Sequence, residues 1–216
     1  MDRATGYLFV GICTACIHLI VGPSDALSQN EVLVFSVIGD VPYDVSEESV
    51  LQQHIVEHNL YSPSEFLVHV GDIKAQSNAC PESDYSRVAG YLLGLKVPSF
   101  IIPGDNEWTD CDDPDEAWSF WTKHFMNFEQ NFCRAPSVER QAIRPENFSW
   151  VTKGVLILGL NMPGGSNTAV GNGNQRLQDN ADWVSQQFAS HGEEVRAAVI
   201  FAQSLQDSDA LLRINS

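Results

Sequence analysis

The sequence predicts an α/β fold, a largely parallel sheet covered by helices, on three observations. Short apolar runs rich in branched residues alternate with longer amphipathic stretches along the chain. The first three runs end at Gly39-Asp40, Gly71-Asp72 and Gly104-Asp105, with the aspartates 32 and 33 residues apart. The 216 residues are 44% hydrophobic, enough to bury the core of one domain, and contain no repeat and no domain linker.

Residues 32–38 (VLVFSVI) read as a buried strand, because a short branched apolar run bounded by a turn suits the middle of a sheet. Asp44 with Glu47 predicts a capping box opening a helix through residue 60, with Val50, Leu51, Ile55 and Val56 facing inward. Residues 66–70 (FLVHV) form the second expected strand, 83–95 a helix, and 99–102 (SFII) the third strand. A Trp-rich helix is expected over 114–128, followed by a polar loop over 133–145. Residues 148–152 and 155–160 predict a hairpin turning at Lys153-Gly154. A helix over 177–190 leads into a last strand at 195–202, and the Gly/Asn-rich residues 164–174 are a loop within the domain.

Residues 8–22 (LFVGICTACIHLIVG) are apolar, follow Arg3, and precede the small residues Ser24 and Ala26. Residues 1–26 therefore read as a signal peptide and 27–216 as the domain, with an uncleaved anchor as the alternative. The run is short for a span of ~20 residues, and no second one exists, so no stable membrane span is expected after cleavage. The expected location is secreted or within the secretory pathway. The formal charge of −16, from 28 acidic and 12 basic residues, repels phosphate backbones, so nucleic acid is not an expected partner. Beyond the leader remain Cys80, Cys111 and Cys133, which suggest one disulfide and one spare thiol. Cys80 and Cys111 are the expected pair, because each follows a strand-end acidic turn and those ends should lie side by side. No close Cys-x-x-Cys pair remains for zinc. Asn147-Phe148-Ser149 is a glycosylation sequon.

In open α/β sheets ligands bind at the carboxyl ends of the strands. Glycine permits the sharp turn there, and the following carboxylate points into the crevice. Three such carboxylates, Asp40, Asp72 and Asp105, repel one another unless something positive lies between them. A divalent metal answers that need; Lys74 as a counter-charge is the purely structural alternative. Trp108, Trp118, Phe120 and Trp121 read as a helix packed on the sheet, with a substrate-stacking wall as the alternative. The acidic run at Asp110, Asp112, Asp113, Asp115 and Glu116 reads as a solvated loop and helix start.

At Gly39-Asp40-Val41-Pro42-Tyr43, Val70-Gly71-Asp72-Ile73-Lys74 and Pro103-Gly104-Asp105-Asn106-Glu107-Trp108 the chain resembles the calcineurin-like metallophosphoesterases, which include the purple acid phosphatases. The resemblance runs from Val32 to about Gln203. It implies a β-sandwich flanked by helices, opening βαβαβ, with a two-metal centre that generates a hydroxide nucleophile at the strand ends. Asp40 would bind the first metal, Asp72 would bridge the two, and Asp105 would replace the family's asparagine ligand. Pro42 stands where the first motif has histidine, and Asn106 where the third motif has its catalytic histidine. Ala202-Gln203 stands at the late histidine ligand, and the final Gly-His-x-His motif has no counterpart before Ser216. The last departure leads to an expectation that the fold is incomplete at the C-terminus, as in a truncated or alternatively spliced product.

The histidines present do not replace those missing: His54, His58 and His124 fall on expected helices, His191 lies at a helix end, and His69 alternates away from Asp72. Asp40, Asp72, Asp105, Asn106, Glu107 and Gln203 leave an oxygen-rich donor set. The expected cofactor is a divalent ion among Mn, Mg, Ca, Fe and Zn, with hard oxygen ligands favouring Mg, Ca or Mn. Two functions follow. One is a secreted hydrolase of small phosphoesters in which the Asn106 amide takes the catalytic histidine's place; the other is a catalytically silent extracellular binding domain.

Overall fold

A computed structural model describes residues 15–21, 32–162 and 173–203 of the chain. In chain order its elements are β1 (Ala15–Val21), β2 (Ser36–Ile38), α1 (Val45–Tyr61), β3 (Leu67–His69), α2 (Glu82–Leu92), β4 (Ser99–Ile101), α3 (Pro114–Phe125), β5 (Glu139–Gln141), β6 (Arg144–Thr152), β7 (Val155–Leu160), α4 (Gly173–His191) and β8 (Ala197–Gln203). Strands β2, β3 and β4 form a three-stranded parallel sheet in that order. The second sheet runs β1-β8-β7-β6-β5, and only its β7–β8 pair is parallel. The single, largely parallel sheet expected from the strand–helix alternation is therefore corrected to two sheets. Helical crossovers make neighbours parallel, as α4 does for β7 and β8, whereas a two-residue hairpin forces β6 and β7 antiparallel. Lys153 (φ 50°) and Gly154 (φ 69°) make that hairpin turn as expected, both with the positive φ it requires.

Three apolar clusters order the layers. Leu67 and Ile101 face α1, α2 and α3, where Leu51, Ile55, Tyr85, Val88, Leu92, Trp121 and Phe125 cover them. The opposite face of that sheet, with Phe66, Val68, Val70, Phe100 and Ile102, shares one cluster with Phe148, Trp150, Ile157, Val199 and Phe201 of the second sheet. Phe100 stacks on Trp150 with centroids 4.3 Å apart at the middle of this layer. On the far side, Leu156, Leu158, Leu160, Ala198 and Ile200 pack under Trp183 and Val184 of α4. Strand alternation explains the division, since successive residues of β7 point to opposite clusters. At Gly159 that rule meets the Phe148 ring, which occupies the space a Cβ would fill.

Asp44 caps α1, accepting from the amides of Ser46 (2.8 Å) and Glu47 (3.0 Å). Glu47 returns to the Tyr43 amide (2.6 Å), one residue before the position a capping box uses. Leu51 and Ile55 are buried one turn apart, but Val50 and Val56 are exposed. Each valine is one residue, about 100° of helix rotation, off the buried stripe. The expected helix over 114–128 stops at Phe125, because Asn127 takes a left-handed φ of 58° before a 3-10 turn at Phe128–Asn131. The expected polar loop contains β5, an edge strand whose Glu139-Arg140-Gln141 carries no apolar signal.

Cys80 and Cys111 form a disulfide with Cα atoms 5.8 Å apart, joining the loops after β3 and β4 as expected, and Cys133 is free and exposed. A disulfide of this kind suits an oxidising compartment. The sequon's Asn147 is fully buried, and its Nδ2 donates to Gln141 Oε1 (2.6 Å) and Asn180 Oδ1 (2.7 Å), so the folded chain has no room for a glycan there. No helix among the described residues is long and apolar enough to cross a membrane. Within the run read as a leader, Ala15–Val21 lies antiparallel to β8. The cleavage position near Ala26, most of the 164–174 loop and the segment after Gln203 fall outside the described residues.

Candidate functional site

The site is built from the carboxyl ends of β2, β3 and β4. Asp40 and Asp72 both take a left-handed φ of 55°, a conformation that non-glycine residues rarely adopt and that clusters at functional sites. The Asp40 amide donates to the Gly71 carbonyl (3.0 Å), so the first two turns are tied together. The second and third turns touch glycine to glycine. A Cβ on Gly71 would overlap the Gly104 backbone, and one on Gly104 would overlap the Asp72 carboxylate. That close approach brings all three acidic turns to one point.

Tyr43 Oη lies 3.1 Å from Asp40 Oδ1 and 3.4 Å from Asp72 Oδ2, so one phenol hydrogen links the two carboxylates. Burial, then the charges of Asp72 and Asp40, push the Tyr43 hydroxyl far up, and it keeps its proton. The Asp72 and Asp105 carboxyls lie close together, the Asn106 amide of the third turn donating to Asp72 Oδ1, and like charges so placed need a proton or a cation between them. Burial first, then the charges of Glu107 and Asp105, raise Asp72 well above the ordinary carboxylate range. The Asn106 amide N–H donates to Asp72 Oδ1 (3.2 Å), and its side-chain Nδ2 donates to Lys74 O (3.0 Å) and approaches Tyr43 Oη (3.4 Å). From the second sheet, Gln203 Nε2 donates to Asp105 Oδ1 (3.2 Å), while Gln203 Oε1 is buried with no hydrogen-bond partner among the described residues.

Two residues suggested by the sequence serve the scaffold. Glu107 is fully buried and accepts from the amides of Gly104 (2.6 Å) and Ile73 (3.4 Å), bracing the second and third loops against each other. Burial holds it above the usual glutamate range. The Lys74 ammonium donates to the carbonyls of Ala75, Ser77 and Asn106 at 2.9–3.2 Å, and among the described residues it makes no ion pair with Asp72. His69, as expected, is turned away from the carboxylates. Its Nε2–H donates to the Val41 carbonyl (2.9 Å), and its Nδ1 accepts from the Gly71 amide (3.2 Å). In the acidic run, Asp113 caps α3 through the Glu116 amide (3.0 Å), which fits the expected helix start.

No protein-family model matches the chain, and no curated protein matches it.

The donor chemistry decides what the site could hold. Among the described residues no three His, Cys, Asp or Glu side chains are gathered as a ready-made ligand cluster. What meets is a pair of neighbouring carboxyls, Asp72 and Asp105, beside the orphaned carbonyl oxygen of Gln203, with Asp40 joined through Tyr43. An all-oxygen set of this kind fits one hard cation such as Mg, Ca or Mn. Tyr43 had no role in the sequence reading, although its position three residues after Asp40 was the available signal.

Proposed function

We propose that this chain is a secreted, divalent-cation-dependent hydrolase of small phosphoesters, built on the β-sandwich of the calcineurin-like metallophosphoesterases. Asp72 and Asp105, with the Gln203 carbonyl oxygen, supply the ligands, and Asp40 is the third carboxylate, held beside them through Tyr43. The supporting observation is the unpartnered Gln203 oxygen on the amide that holds Asp105, beside the Asp72 carboxylate packed against Gly104, at strand ends drawn from both sheets. A cation bound there supplies charge withdrawal from a phosphoryl oxygen and acidification of a bound water.

The chain's own groups do the rest. The Asn106 Nδ2 turns its weaker N–H, the one towards Tyr43 Oη, to a phosphoryl oxygen while keeping its bond to Lys74 O, and Tyr43 keeps its proton and holds the Asp40 and Asp72 carboxylates in place. A neutral amide cannot protonate a leaving group, so turnover favours esters whose alcohol leaves unaided. The deciding experiment is elemental analysis of the purified chain and its Asp72→Ala variant, alongside p-nitrophenyl phosphate hydrolysis with and without chelator. About one divalent metal per chain, lost in the variant together with chelator-sensitive turnover, is the expected result. A folded wild-type chain with neither metal nor turnover sinks the hydrolase and leaves the silent binding domain.

A further inference from the structure

A cavity of about 490 Å³ opens between α3, the β5–β6 connection and the start of α4, within the size range of small-molecule sites. Its wall includes Trp108, Trp118, Thr122, Ile143, Arg144 and Arg176. Trp118 stacks on core Trp121 with planes 7° apart and meets Trp108 at 4.6 Å, so the indoles form a braced surface. The Arg176 guanidinium lies 4.7 Å over the Trp108 ring.

The basic residues of this wall are balanced by acids, and Glu146 and Asp115 line the cavity themselves. Arg176 pairs with Glu146, and Arg144 pairs with Asp179 at 2.8 Å. A formally anionic guest gains little there, whereas a flat apolar one gains the indole surface. Among the lining residues, Thr122, Arg144 and Arg176 carry O–H and N–H donors, so a guest with an acceptor oxygen suits this wall.

The cavity adjoins the acidic site through a ring of contacts. The Trp108 amide donates to Asp105 O (3.1 Å), and Asn161 Nδ2 donates to the Arg176 partner Glu146 (3.1 Å). Asn161 follows Leu160, which is in register with Ala202, and so lies beside Gln203, whose amide holds Asp105.

We infer that this cavity is a subsite for the alcohol half of the ester, selecting a neutral, flat, aryl-type group with one acceptor oxygen. The origin of that guest rests on the hydrolase reading above; the chemistry rests on the cavity alone. The experiment measures 1-naphthol binding by calorimetry, and hydrolysis of 1-naphthyl phosphate against glycerol phosphate. It compares the wild type with Trp118→Ala, with Ile143→Glu at the exposed rim, and with Asp72→Ala. Binding of 1-naphthol is expected to weaken about tenfold in Trp118→Ala and Ile143→Glu and to persist in Asp72→Ala. The naphthyl preference should fall by a similar factor in the first two variants. Naphthol binding without turnover upholds the cavity and removes the hydrolase reading. A folded wild type that does not bind naphthol, or binding unchanged in both cavity variants, overturns the inference even if phosphoesters are cleaved.

Discussion

Two buried polar clusters stand on either side of the second sheet's strand ends, and they solve the problem of burial differently. In the cluster of β6, β7 and α4, unlike groups meet. Glu146 pairs with Arg176 and accepts from Asn161; Asn147 bridges Gln141 and Asn180; Asn180 returns to the Asn161 carbonyl (2.9 Å). In the cluster at the ends of β2, β3 and β4, like groups meet, the Asp72 carboxyl near that of Asp105, and both Asp40 and Asp72 take left-handed conformations. A balanced network holds a fold together, whereas a crowded set of acids is destabilising unless a proton or a counter-charge lies between its members. Position within a sheet does not separate the two clusters; the sign of the neighbours does.

The sharpest test of the contrast is to unbalance the balanced side. Glu146→Gln leaves the Arg176 guanidinium buried without its counter-charge and should cost about 3–5 kcal/mol in urea unfolding. A loss near zero would mean that Arg176 is hydrated and the network is not closed.

A second test uses pH. Burial lowers His69 from an ordinary value of 6.5 to about 4, so the folded chain keeps it neutral while the unfolded chain protonates it. Its stabilising contribution is complete above pH 6.5 and is lost as pH falls toward 4, at up to about 1.4 kcal/mol per unit. His69→Gln retains a donor and an acceptor for Val41 and Gly71. The difference in unfolding free energy between it and the wild type should therefore change across that window and flatten above it. A constant difference would refute a buried neutral imidazole.

The smallest effect is the most discriminating, because its sign is opposite. In chelator-treated protein, Asp72→Asn removes one of two neighbouring carboxyls and places there a residue that tolerates φ 55° well, so stability should rise by about 1 kcal/mol. Destabilisation would place Asp72 among satisfied structural groups and erase the distinction between the clusters.

The acidic cluster was the more legible of the two. Asp40, Asp72 and Asp105 each follow an apolar strand, and parallel strands joined by helices bring such ends together, which also placed Cys80 beside Cys111. The balanced cluster was not legible, because Glu146 and Arg176 are 30 residues apart and neither belongs to a motif. The same blindness let Asn147 pass as a sequon and left Tyr43 without a role.

By itself, the sequence determined the local elements: where branched apolar runs become strands, where Asp44 and Asp113 start helices, and where Lys153-Gly154 reverses the chain. These depend on backbone sterics and on partners only a few residues away. Tertiary structure alone decided the division into two sheets, the exposure of Val50 and Val56, and the capture of Glu107 and Lys74 as scaffold. It also decided the approach of Gln203 to Asp105. Each of those outcomes depends on which distant surface covers a residue, and no spacing along the chain encodes that.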